Sequence, residues 1–111
     1  MSDCVFCRIA AKELPAKLVY EDEAVVAFPD LNPRAPFHVL VVPRRHVERL
    51  ADLDDEALAG KLTLAAARVA RQAGQGDGFR VVVNNGAGAG QSVFHLHLHV
   101  LGGRPFSWPP G

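Results

Sequence analysis

The stretch Phe94-His95-Leu96-His97-Leu98-His99-Val100 constrains this chain more than any other. It alternates apolar and polar residues with a period of two, which is the period of a β-strand with unlike faces. Phe94, Leu96, Leu98 and Val100 are expected on the face that packs against a core. His95, His97 and His99 are expected on the other, as a row of imidazoles able to change charge near neutral pH. Immediately upstream lies Asn84-Asn85-Gly86-Ala87-Gly88-Ala89-Gly90. This reads as a flexible loop with many accessible backbone N–H groups. A histidine row beside such a loop points to chemistry on a small anionic ligand.

Around this stretch the sequence predicts four further strands and two helices. Lys17–Tyr20 and Ala24–Phe28 read as strands joined by the turn Glu21-Asp22-Glu23. Phe37–Val42 is apolar without alternation, so both of its faces should be covered, and Pro43 should end it. Phe79–Asn84 is a fourth strand. Asp52–Ala73 is the one long helix, with Leu58, Leu62, Ala65 and Val69 on a single stripe. Its acidic start, Asp52, Asp54, Asp55 and Glu56, suits the positive end of a helix dipole. Gly74 and Gly76 are stop signals. A short helix near Ile9–Lys12 should be stopped by Pro15. The tail from Gly102 to Gly111 holds three prolines and should form no regular structure, leaving Trp108 to pack on the body or on another subunit.

Length and charge narrow the function classes. A chain of 111 residues suits one domain. Twelve basic and twelve acidic residues cancel, so no basic surface argues for nucleic-acid binding. No apolar run is long enough to span a membrane. The start Met1-Ser2-Asp3-Cys4 lacks a basic-then-apolar signal region, so a cytoplasmic location is expected. Two cysteines give no disulfide framework. Cys4-x-x-Cys7 can bind a metal, cycle redox or simply pack. Metal would require partners elsewhere, because structural zinc takes four ligands. Asp30, in the proline-punctuated loop 29–36, can receive a ligand hydroxyl or merely form a turn.

The pattern His95-Leu96-His97-Leu98-His99-Val100-Leu101 resembles the signature of the histidine-triad (HIT) family: His, apolar, His, apolar, His, two apolar. The resemblance runs through most of the chain. Residues 24–36 resemble the nucleoside-binding segment, 38–46 the central strand and its connector, and 84–92 the phosphate-side loop. Trp108-Pro109-Pro110-Gly111 resembles the tail of the Hint branch.

The resemblance implies an α+β fold in a single domain over 1–111: a five-stranded antiparallel sheet with one long and one short helix, its sheets joined across a homodimer. It implies a purine nucleotide hydrolase or transferase that cleaves nucleoside phosphoramidates. His97 matches the nucleophile, His99 a contact to the α-phosphate and His38 a residue supporting the triad. Asn84 and Ser92 match phosphate-side or leaving-group contacts, with Gln91 and Gly90 as neighbours. Asp30 matches a ribose contact. Phe6, Phe28, Leu31 and Leu40 match the base pocket, with Val5, Ile9 and Leu14 around them. In relatives carrying the paired cysteines, residues matching Cys4, Cys7, His46 and His95 hold a structural zinc. Phe37 and Pro29 stand where polar residues often occur in the family.

Two other readings fit the residues. The histidine row can ligate a catalytic zinc with an open position. Alternatively, the chain is a nucleotide-binding regulatory module with little turnover. Residues 86–90 are not a P-loop, because the Gly-Lys-Ser/Thr ending and the following helix are missing.

Overall fold

The structure is a computed structural model and describes residues 3–111; Met1 and Ser2, part of the signal-region reading, lie outside the described residues. Five strands form one antiparallel sheet: β1 (Tyr20–Glu21), β2 (Val25–Pro29), β3 (Phe37–Pro43), β4 (Phe79–Val82) and β5 (Leu98–Gly102). Their spatial order is β1-β2-β3-β5-β4. The helices are α1 (Val5–Ala10) and α2 (Glu56–Gln72). Among the described residues no helix is long and apolar enough to cross a membrane.

The central strand explains the layering. In β3 every residue from His38 to Pro43 is buried, as its unbroken apolar run requires. Successive side chains leave on opposite faces. Val39 and Val41 join Val25, Ala27, Leu98 and Val100 on one face, packed against Leu58, Leu62, Ala65, Ala66, Val69 and Ala70 of α2. Leu40 and Val42 join Val26 and Phe28 on the other, covered by Phe6 and Ala10 of α1. The sheet is thus sandwiched between a long helix and a short one.

Several boundaries differ from the sequence expectation. The long helix starts at Glu56, not Asp52, because Asp55 is its N-cap: its Oδ1 accepts the Leu58 N–H at 3.1 Å. Asp52 instead pairs with Arg49 in a preceding turn of 3₁₀ helix, Leu50–Asp52. The helix ends as expected before Gly74, whose φ of +76° suits glycine. β1 begins at Tyr20 rather than Lys17, and β4 ends at Val82. The turn after β1 is held by Asp22, whose Oδ1 accepts the N–H groups of Ala24 and Val25, both at 2.8 Å. The short helix covers Val5–Ala10, earlier than expected, and nothing regular follows Gly102.

The histidine stretch is only partly strand. Pairing of β3 with β5 runs from Phe37↔Gly102 to Val41↔Leu98 and stops. The next partners in this register would be Val42 and His97, which do not pair. Leu96 N–H bonds instead to the Val47 carbonyl at 2.7 Å. The alternation of faces nevertheless persists through Leu96, which is buried on the α2 side. It fails at Phe94, which is exposed rather than in the core, because the chain has left the sheet by that point.

Leu62 is 1% exposed and lies at the centre of the α2-facing core. Leu62→Ala is expected to lower unfolding free energy by about 2–5 kcal/mol, read from the midpoint of a urea titration at unchanged m-value.

Candidate functional site

Three adjacent strands carry the site by parity. On β2 the residues Val26, Phe28 and, one step past the strand, Asp30 share a face. On β3 the same face holds Leu40 and His38, because β2 and β3 pair Phe28 with Leu40. On β5 it holds His99, paired with Leu40, and His97 one alternation earlier. The ladder continues past β2, with Asp30 N–H bonded to the His38 carbonyl at 3.0 Å. An apolar cleft of about 420 Å³ opens on this face, a size suited to a small organic ligand. Phe6, Phe28 and Leu40 form its floor, with Val5 and Ile9 of α1 beside them, while Asp30, Ser92, His97 and His99 add the polar groups. Leu31 sits at its rim, fully exposed. Phe6 meets Phe28 and His97 edge to face, at centroid distances of 5.4 and 5.2 Å.

Backbone partners fix the proton positions on the imidazoles. A carbonyl oxygen only accepts, so the 2.8 Å contact from His97 Nδ1 to the His95 carbonyl puts the proton on Nδ1. His97 Nε2 is left with a bare lone pair. A backbone N–H only donates, so the 2.9 Å bond from Arg34 N–H makes His38 Nδ1 an acceptor. The proton of neutral His38 therefore sits on Nε2. It is donated to His99 Nδ1 at 2.9 Å, with Asp30 Oδ2 at 3.4 Å. Neutral His99 must then carry its proton on Nε2. One imidazole of the cleft thus offers a lone pair and the next offers a proton.

The rings of His99 and His38 favour the neutral form. Burial, then the neighbouring imidazoles of His97 and His38, push the His99 pKa down to about 4, with Asp30 opposing. Burial also lowers His38, against the pull of Asp30.

His95 faces a different neighbourhood. Its Nε2–H donates to the Pro43 carbonyl at 2.7 Å, which bares Nδ1. That nitrogen lies 3.3 Å from Cys4 Sγ, 3.4 Å from Cys7 Sγ and 3.1 Å from His46 Nδ1. Cys7 Sγ is 3.2 Å from His46 Nδ1. All four donor atoms lie within 4.8 Å of one another. Burial above all lowers His95 to about 4, so it stays in the neutral form a metal requires. Two thiols and two imidazoles at these separations fit one tetrahedral ion. Cys4 also caps α1, its Sγ accepting the Cys7 N–H at 3.4 Å.

Asp30, His38 and His99 form a second group of close donor atoms. It suits a metal poorly. A metal on His38 Nε2 would force the ring proton onto Nδ1, against the Arg34 N–H. Among the described residues, neither group of close donor atoms brings His95, His97 and His99 together.

The glycine-rich loop is more closed than its sequence suggests. Ala89, Gly90 and Gln91 spend their N–H groups on carbonyls of Gly86 and Ala87, because Ala87–Ala89 winds into a 3₁₀ turn. Gln91 is buried and acts as a brace: its Oε1 accepts the Gly86 N–H, and its Nε2 donates to the carbonyls of Glu48 and Val93. Its amide is committed to the loop. Asn84 lies beneath Gly90, and neither it nor Gly90 nor Gln91 lines the cleft, whereas Ser92 and Val93 do. Leu14 borders a neighbouring depression. Sequence reasoning missed Pro15, Ala16 and Lys17, which close one side of the cleft. The helix-breaking Pro15 was the available signal, since a chain turned there has to cross the sheet face.

A family model described as HIT domain matches residues 11–106. The chain belongs to the HIT family. This HIT domain is 56% identical to a HIT-like protein of Synechocystis, with 98% of this chain and 97% of that protein covered. It is 47% identical to Protein HitA of Neisseria gonorrhoeae over 92% of this chain and 97% of that one. A structure described as a HIT family hydrolase from Legionella pneumophila superposes with a TM-score of 0.94 at 42% identity, covering 98% of this chain and all of that one.

The depressed histidines give a pH prediction. Between pH 6.5 and 4 the unfolded chain binds a proton at His99 that the native state does not. Stability therefore falls as pH drops through that window, by at most about 1.4 kcal/mol per pH unit for this group. His99→Gln should flatten the acid side of a plot of urea midpoint against pH.

Proposed function

We propose that this protein is a nucleotidyl hydrolase or transferase that cleaves purine nucleoside phosphoramidates through a covalent adduct on His97. The pairing of a bare His97 Nε2 with a protonated His99 Nε2 at an apolar cleft carries this reading. A neutral imidazole nitrogen is a competent nucleophile at neutral pH without a separate base. His97 Nε2 attacks the α-phosphorus, the bond from phosphorus to the amine nitrogen breaks, and the amine departs with a proton taken from solvent, which the later attack of water returns. Water then attacks the nucleotidyl-imidazolium and releases the nucleoside monophosphate. His99 Nε2–H and the Ser92 hydroxyl stabilise charge on the phosphoryl oxygens. The floor of Phe6, Phe28 and Leu40 receives the base, and Asp30 the ribose hydroxyls, as the family resemblance implies. Asn84, Gly90 and Gln91 act from behind Ser92, by shaping the loop that presents it.

The cluster of Cys4, Cys7, His46 and His95 holds a structural zinc in this reading. The ion would tie α1, and with it Phe6, to the segment preceding the nucleophile. The working unit is a homodimer joined through the β4 edges: among the described residues β4 pairs only with β5, and Val81 on it is exposed. The expected location is cytoplasmic, with no nucleic-acid or membrane partner.

Two experiments test this. Incubation with an adenosine phosphoramidate bearing a fluorescent amine should release the fluorophore, and acid-free quenching followed by mass spectrometry should place a nucleotidyl group on His97. His97→Gly should lose turnover by more than a thousandfold, in line with removal of a covalent nucleophile, while still binding AMP. An adduct on another residue, or full turnover in His97→Gly, rules the mechanism out. Binding without release in the unmodified protein would favour a regulatory nucleotide-binding module. Separately, Val81→Lys should shift light-scattering mass from twice the chain mass to one; a protein already monomeric at micromolar concentration contradicts the dimer.

A further inference from the structure

The segment after β5 reaches back to the loop between β2 and β3. Gly103 turns with φ of +86° and approaches so closely that a Cβ there would lie 2.9 Å from Pro36 Cβ. Arg104 follows, and its Nε donates to the Arg34 carbonyl at 3.2 Å. The guanidinium is itself held. It stacks over the Phe106 ring with Cζ 4.3 Å from the centroid, and its Nη1 donates to the Pro105 carbonyl. Arg80 of β4 also lies against Phe106, at 5.1 Å, and donates to the Ser107 carbonyl at 2.7 Å. Arg34 is thus gripped at both ends of its backbone: its carbonyl by Arg104, its N–H by His38 Nδ1.

We propose that Arg104 is a positioning residue that sets the proton polarity of the His38–His99 pair by holding the Arg34 residue in place. The chain of causes is short. The Arg34 N–H excludes a proton from His38 Nδ1, which places it on Nε2 and makes His99 Nδ1 an acceptor. His99 then presents Nε2–H to the cleft. Without the grip, Arg34 can turn its N–H away, and His38 can take a proton at Nδ1. If that proton moves from Nε2, the pair reverses: His38 Nε2 accepts, His99 Nδ1 donates, and His99 turns a lone pair toward the phosphate. If Nε2 keeps its proton, His38 becomes a cation beside Asp30. The groups facing this pair are Asp30 from the end of β2, His97 from the segment before β5, and the Arg34 side chain from the connecting loop. Asp30 favours the cation and Arg34 opposes it, so the backbone N–H tips the balance.

The catalytic consequence rests on the proposed nucleotidyl transfer; the proton placement does not. The test therefore uses two readouts on the 111-residue chain. Long-range ¹⁵N–¹H spectra report which nitrogen of His38 and His99 is protonated. In Arg104→Gln, the His38 Nδ1 signal should move from the range of a bare nitrogen toward that of a protonated one. The acid limb of kcat for an adenosine phosphoramidate should rise by about 0.5–1 pH unit, and kcat at neutral pH should fall about tenfold. Arg104→Lys keeps a donor for the Arg34 carbonyl and should recover most of both. Phe106→Leu, which frees the same guanidinium without removing it, should shift the spectra in the same direction and guards against a variant that fails to fold. His38 signals in folded Arg104→Gln that match the unmodified protein across pH 5–8 overturn the proposal. These spectra decide it whether or not the phosphoramidate is turned over.

Discussion

Pairing of β3 against β5 is the constraint on which the rest depends. It sets Leu40 opposite His99, and the two-residue period then fixes every other side chain of the site. A shift of one residue would send the imidazoles into the α2 core and the valines into the cleft. That register is protected by burial on both faces: Val39, Val41 and Val100 are locked against α2, Leu40 and Val42 against α1. The pairing ends at Val41↔Leu98; the segment before it peels away, with Leu96 N–H on the Val47 carbonyl, and brings His95 to the cysteines.

The site works through hydrogen bonds whose direction is dictated by the backbone. The His95 carbonyl, the Arg34 N–H and the Pro43 carbonyl each leave their histidine one choice of tautomer. Ring protons in a chain of imidazoles would otherwise exchange places at little cost. Burial adds to this by keeping His99 and His95 uncharged well below neutral pH. Electrostatic preorganisation here comes from peptide groups more than from charged side chains, which suits a cleft that is mainly apolar.

His95 links the two chemical centres. Its ring faces Cys4, Cys7 and His46, while its carbonyl orients His97. Phe6 repeats the connection, since it lies between the cysteines in sequence and packs edge-on against His97. An order imposed on the thiol–imidazole cluster is therefore transmitted to His97 by two contacts. The paired cysteines are more than helix caps in such an arrangement.

Period-two alternation and the long apolar stripe are local properties, and they determined five strands, one long helix and the shared face of the imidazoles. The family resemblance, rather than periodicity, singled out His97, His99, Asp30 and Ser92, all of which line the cleft. Capping is equally local, yet four acidic residues competed for it, and only packing selected Asp55. The closure of the glycine loop needed Gln91 to find Glu48, 43 residues away. Likewise, Lys17 entered the cleft wall and Arg104 met Arg34 only through contacts distant in sequence. Those depend on how the chain folds back across the sheet, which no window of neighbouring residues encodes. Sequence determined which imidazoles share a face; tertiary structure decided what else lines the cleft and where the ring protons sit.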